Sequence, residues 1–203
     1  MNNSETISFS ISFSPRIQKV RQEFACAERL AKRVEEFRDE AAIPAINELR
    51  YAGYHLSIFL DQVARGAAPD DEELSAAERH CMRASYEAGE AGILAALAEI
   101  DVFQQDYRLV PITDVVPNWL TILSECQKTK ETVLAADREN GSVRSIDHRL
   151  YEEVFDTLSG YCKLLEIARE ELNKKLKASR TFWQLGVVTA LLALAGVVVA
   201  IFR

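Results

Sequence analysis

Residues 146–202 read IDHRLYEEVFDTLSGYCKLLEIAREELNKKLKASRTFWQLGVVTALLALAGVVVAIF. Leu150, Val154, Leu158, Tyr161, Leu165, Ala168, Leu172 and Leu176 recur at steps of three and four, the stripe of a helix with one apolar face. No proline or glycine lies between Leu176 and Phe182. The spacing therefore predicts one unbroken helix from about Ile146 to Phe202, roughly 85 Å long at the standard rise. Gly160 is its weakest point, since a mid-helix glycine costs about 1 kcal/mol.

The last third of that stretch changes character. From Phe182 to Phe202 there is no charged residue, and Gln184 and Thr189 are the notable polar ones. As a helix these residues reach roughly 31 Å, the thickness of a hydrocarbon core. The reading is a transmembrane anchor over 181–203, with Phe182 and Trp183 at the boundary where aromatic rings settle. Arg169, Lys174, Lys175, Lys177 and Arg180 precede it and only Arg203 follows. The positive-inside rule then places the N-terminal part in the cytoplasm, as a single-pass protein of the inner or plasma membrane. Lys174, Lys175, Lys177 and Arg180 would touch anionic lipid. Gly186/Ala190 and Gly196/Ala200 are small pairs four apart, which either let two such helices approach closely or reflect ordinary membrane-helix composition.

Working backwards, residues 15–180 read as a helical bundle. Ser14-Pro15 starts a first helix, with a stripe of Ile17, Val20, Phe24, Ala27, Ala31 and Val34. Pro44 breaks the chain before a second helix carrying Ile46, Leu49, Gly53, Leu56, Leu60 and Val63. Residues 65–71, RGAAPDD, form a loop, and a third helix runs from about Glu72 to Tyr107. It is crowded with Ala, Ser and Gly, and Gly89 and Gly92 imply either a closely packed neighbour or an interruption. Pro111 and Pro117 make 108–117 a connection, expected to hold a short extended piece. A fourth helix runs to Glu139, where Asn140-Gly141 stops it. The predicted fold is all-α: a four- to five-helix bundle, a C-terminal transmembrane helix and a short strand-like N-terminal segment over 1–14. In that segment Ile7, Phe9, Ile11 and Phe13 alternate with serines, the period of a strand. A lone strand needs a partner, so it pairs with a second copy, straps the bundle or stays unpaired as a terminus.

The 203 residues carry a net charge of −7, which argues against general nucleic-acid binding through clustered cations. The four cysteines are far apart with no CxxC, as in a reducing compartment. No phosphate loop, HExxH or nucleophile elbow is present, and the three histidines have no ligand at metal spacing. No metal or cofactor is implied.

One constellation carries chemistry. Arg50-Tyr51-Ala52-Gly53-Tyr54-His55 is an Arg and a His separated by four residues on a helix. It resembles the R-x4-6-H signature of the HEPN superfamily, helical domains many of which are RNases acting as dimers. The resemblance implies metal-independent RNA cleavage, with Arg50 stabilising the phosphate and His55 transferring a proton. On a regular helix the two lie roughly 140° apart, so a second subunit would have to bring them together. The plainer reading pairs Arg50 with a neighbouring acid and leaves His55 as a packing residue. Some small HEPN-like proteins of bacterial antiviral systems also carry a membrane helix, and the chain looks like that combination. The leading expectation is a self-associating protein that perturbs the membrane or forms a pore, with the lipid bilayer and further copies of itself as partners. A membrane-tethered HEPN-type RNase and a passive adaptor for a protein partner stand as alternatives.

Overall fold

The computed structural model describes residues 15–66, 71–139 and 148–201, with the side chains of 133–139, 180 and most of 182–201 outside that description. Among the described residues there are five α-helices, one 3-10 turn and no strand: α1 (Pro15–Arg38), α2 (Ile43–Ala64), α3 (Asp71–Asp106), the turn Ile112–Asp114, α4 (Trp119–Glu139) and α5 (His148–Ile201). The helices divide between two compact units. The first contains α1, α2, residues 71–92 of α3 and the opening residues of α5; the second contains the rest of α3, the 3-10 turn, α4 and α5 from Val154.

Helix boundaries follow local chemistry. Pro15 opens α1 and Pro44 lies in the first turn of α2, where a missing N–H costs nothing. Between them Asp39 takes a positive φ of 55°, and the Glu35 carboxylate accepts the Ala42 N–H at 3.4 Å. Asp71, Glu72 and Glu73 place negative charge at the positive end of α3. The 108–117 connection holds a 3-10 turn rather than an extended piece: the N–H groups of Val115 and Val116 donate to the Ile112 carbonyl at 3.0 and 2.9 Å.

In the first unit the α1 stripe is buried as its spacing requires, with Val20, Ala27, Leu30, Ala31 and Val34 at the core. Val20, Ala52, Ala77 and Cys81 meet from three helices, with Phe24 and Leu56 against them. Small residues allow this approach. A Cβ on Gly89 would lie 2.6 Å from Tyr151 Cβ, so the glycine admits the start of α5, and α3 runs through it without interruption. Gly89→Ala should lower the urea midpoint: overpacking costs about 1–3 kcal/mol, more than the roughly 1 kcal/mol of helix propensity that alanine returns. Tyr151→Ala keeps the colliding Cβ and should not rescue it. A midpoint at or above wild type would refute the close contact.

In the second unit Ile93, Ala96, Leu97, Ile100 and Phe103 of α3 face Trp119, Ile122 and Cys126 of α4 and Phe155, Leu158, Cys162, Leu165 and Leu172 of α5, all buried. The Tyr107 hydroxyl donates to Asn173 Oδ1 at 3.0 Å, and Lys130 pairs with Asp101 at 2.8 Å.

The expected transmembrane helix is corrected here. Among the described residues no helix is long and apolar enough to cross a membrane. α5 is continuous over 54 residues, as its pattern predicted. Its well-described part nevertheless carries charge on nearly every turn through Lys177, whereas a crossing needs about 20 apolar residues in sequence. Lys174 pairs with Glu170 at 2.9 Å and Lys175 with Asp114 at 3.0 Å; Lys177 is exposed. Ala190 is exposed, while the side chains of Arg180, Phe182, Trp183, Gly186, Gly196 and Ala200 lie outside the described residues. The strand-like segment with Ile7, Phe9, Ile11 and Phe13 lies outside them entirely.

Candidate functional site

The second and third helices of the first unit form an antiparallel pair, set by the short loop between Ala64 and Asp71. Glu48 and His55 are seven residues apart on α2, and Glu73 and His80 are seven apart on α3. Seven residues bring a helix round almost two full turns, so each Glu and His share one face. Antiparallel pairing then sets the His of each helix opposite the Glu of the other. His55 Nδ1 lies 2.8 Å from Glu73 Oε2, and His80 Nδ1 lies 2.7 Å from Glu48 Oε2.

Helical side chains lean toward their own N-terminus, so the two imidazoles lean toward each other. Their rings stack, centroids 5.2 Å apart and planes 17° apart. Aromatic rings extend the array at both ends. Tyr51 lies 5.4 Å from His80, and the Arg50 guanidinium stands over the Tyr51 ring at 5.3 Å. Tyr54 meets His55 edge-on at 5.8 Å. Arg50, Tyr51, His80, His55 and Tyr54 thus follow one another in space. Both tyrosines are substantially exposed, 45% and 61%, while the histidine side chains are mostly covered.

The carboxylates fix what the imidazoles can do. An ionised carboxylate accepts hydrogen bonds and cannot donate, so each Nδ1 carries the hydrogen. Nε2 is left to take a proton when the ring is neutral and to give one when it is charged. This is the orienting role of the acid in a Ser-His-Asp triad, without the serine. A sulfur nucleophile is not available nearby: burial pushes the Cys81 thiol up to about 12, leaving it protonated at neutral pH. Burial, reinforced by Glu152, also raises Cys26. Each Glu of the array is engaged by one imidazole, and among the described residues no three His, Cys, Asp or Glu side chains converge to hold a metal.

Of the two residues singled out by sequence, His55 is thus held by Glu73, and Arg50 reaches the array through Tyr51 rather than through direct contact with His55. Among the described residues no acid pairs with Arg50; its guanidinium lies over the Tyr51 ring. Sequence reasoning missed His80, Glu48 and Glu73. Their signal is present as the repeated Glu-x6-His spacing on either side of the 65–71 loop. No family model, curated protein or solved structure matches the chain.

Proposed function

We propose that the α2–α3 array is an acid–base site for metal-independent cleavage of single-stranded RNA. The carrying observation is the imidazole of His55 held through Nδ1 by Glu73 at 2.8 Å, an arrangement that makes Nε2 a base for a ribose 2′-hydroxyl. Arg50 supplies a positive charge for the phosphate backbone at the Tyr51 end of the array. Exposed Tyr51 and Tyr54 offer faces on which unpaired bases stack. The likeness of Arg50 through His55 to the HEPN signature supports the same reading. The membrane-effector reading rested on a crossing helix and is not carried further.

The test is incubation of the purified protein with single-stranded RNA in excess EDTA. Fragments ending in 2′,3′-cyclic phosphate and 5′-hydroxyl are expected. Tyr51→Ala should raise KM about 5- to 100-fold, the value of one stacked base at about 1–3 kcal/mol. No cleavage by the wild-type protein would reject this function.

A further inference from the structure

We infer that His80 is a second catalytic residue, the general acid that protonates the leaving 5′-oxygen while His55 acts as base. This rests on the RNA-cleavage reading above and gives it a second half. Attack of a ribose 2′-oxygen on phosphorus requires two proton transfers. The 2′-hydroxyl proton passes to His55 Nε2 as the O2′–P bond forms. The P–O5′ bond breaks, its electron pair stays on the 5′-oxygen, and His80 gives that oxygen the proton on its Nε2. The products are a cyclic 2′,3′-phosphate and a 5′-hydroxyl, with the proton count balanced across the pair.

Geometry favours one acid beside one base. The rings stack at 5.2 Å with planes 17° apart, so two proton carriers stand side by side. Each ring has its own carboxylate, Glu48 for His80 and Glu73 for His55, so either can be charged without being left uncompensated. The surroundings then differ. Tyr51 packs on His80 with planes 34° apart, whereas Tyr54 meets His55 at 68°. Arg50 stands over Tyr51, at the end of the array that holds His80. With His55 as the base, the stacked His80 ring, held by its own carboxylate, is the imidazole beside it that supplies the second proton. The pair also places acid and base within one chain.

The experiment compares two RNA substrates of identical sequence. One has the natural 5′-oxygen at the cleavage site, and the other has a bridging 5′-sulfur, a thiolate leaving group that needs no proton. His80→Ala, and His80→Gln as the variant closer in size, should slow cleavage of the oxygen substrate about 10²- to 10⁴-fold. Both should cleave the sulfur substrate within a few-fold of wild type. The wild-type protein gives an independent reading: its pH–rate profile is bell-shaped with oxygen and loses its alkaline fall with sulfur. Equal losses on both substrates, or a sulfur rescue seen for His55→Ala instead, overturn the assignment to His80 while the RNase reading stands. Failure of the wild-type protein to cleave either substrate overturns both.

Discussion

Replacing His55 with alanine is expected to lower kcat for RNA cleavage by about 10²- to 10⁴-fold, the usual worth of a positioned general base. KM should change little, because the stacking surfaces of Tyr51 and Tyr54 and the Arg50 charge remain. The sulfur-leaving substrate should not rescue this variant, since loss of the base slows attack whatever group departs. Glu73→Gln gives a distinct outcome. The amide can either accept the Nδ1 hydrogen through its oxygen or donate to Nδ1 through its nitrogen, and the second choice moves the ring hydrogen to Nε2 and removes the base. A fall in kcat smaller than that of His55→Ala is expected, with no change in the urea midpoint beyond about 1 kcal/mol, since the pair is only partly buried. If His55→Ala cleaves RNA at the wild-type rate, the array is a packing feature of α2 and α3 and nothing more.

The course of the chain was legible because the helices are punctuated. Pro15, Pro44, the Gly- and Pro-containing stretch 65–71 and Pro117 mark ends that local sterics enforce whatever the tertiary contacts, and α1, α2, α3 and α4 each begin beside one of them. Gly89 was legible for the same kind of reason: a residue costly in a helix must admit a neighbour, and Tyr151 is that neighbour. The apolar C-terminal pattern instead led to a membrane-crossing helix that the described residues do not contain. Hydropathy over 182–202 measures only which solvent a segment prefers, and other apolar surfaces meet that preference as a bilayer does. The site was half legible. Arg50 and His55 sit within one helix and show as a motif. His80 and the two glutamates belong to the array only through the pairing of α2 with α3, a tertiary fact. The register of that pairing was encoded in the two equal Glu–His spacings, but a spacing has no meaning until the helices are known to run antiparallel.

Phe103→Ala is expected to be the most destabilising of the substitutions considered, at about 3–5 kcal/mol. Phe103 is 1% exposed and lies among Tyr107 at 4.9 Å, Trp119 at 5.7 Å and the Arg169 guanidinium at 5.3 Å. Removing the ring deletes its buried area, two aromatic contacts worth about 0.5–1.5 kcal/mol each, and the π-face beneath Arg169. The surroundings resist collapse into the space. The Tyr107 hydroxyl is tied to Asn173, Arg169 is held by Asp106 at 3.2 Å and Glu166 at 2.6 Å, and the Trp119 backbone N–H donates to the Val116 carbonyl at 3.0 Å. A cavity that cannot close carries its full cost, which is why the upper part of the range applies. Against a typical total stability of about 5–15 kcal/mol, such a loss brings the second unit near its unfolding threshold. Two companions separate the contributions. Phe103→Leu fills most of the volume without a π-face and should cost under about 1.5 kcal/mol of packing plus the aromatic contacts. Arg169→Ala removes the cation together with its ion pairs to Asp106 and Glu166 and should cost about 1 kcal/mol, the guanidinium being partly open to solvent. Urea titrations of the three variants at an unchanged slope would give that order, with alanine at 103 worst by a clear margin. A Phe103→Ala midpoint within about 1 kcal/mol of wild type would mean that the ring is not the keystone between α3, α4 and α5 that its burial indicates.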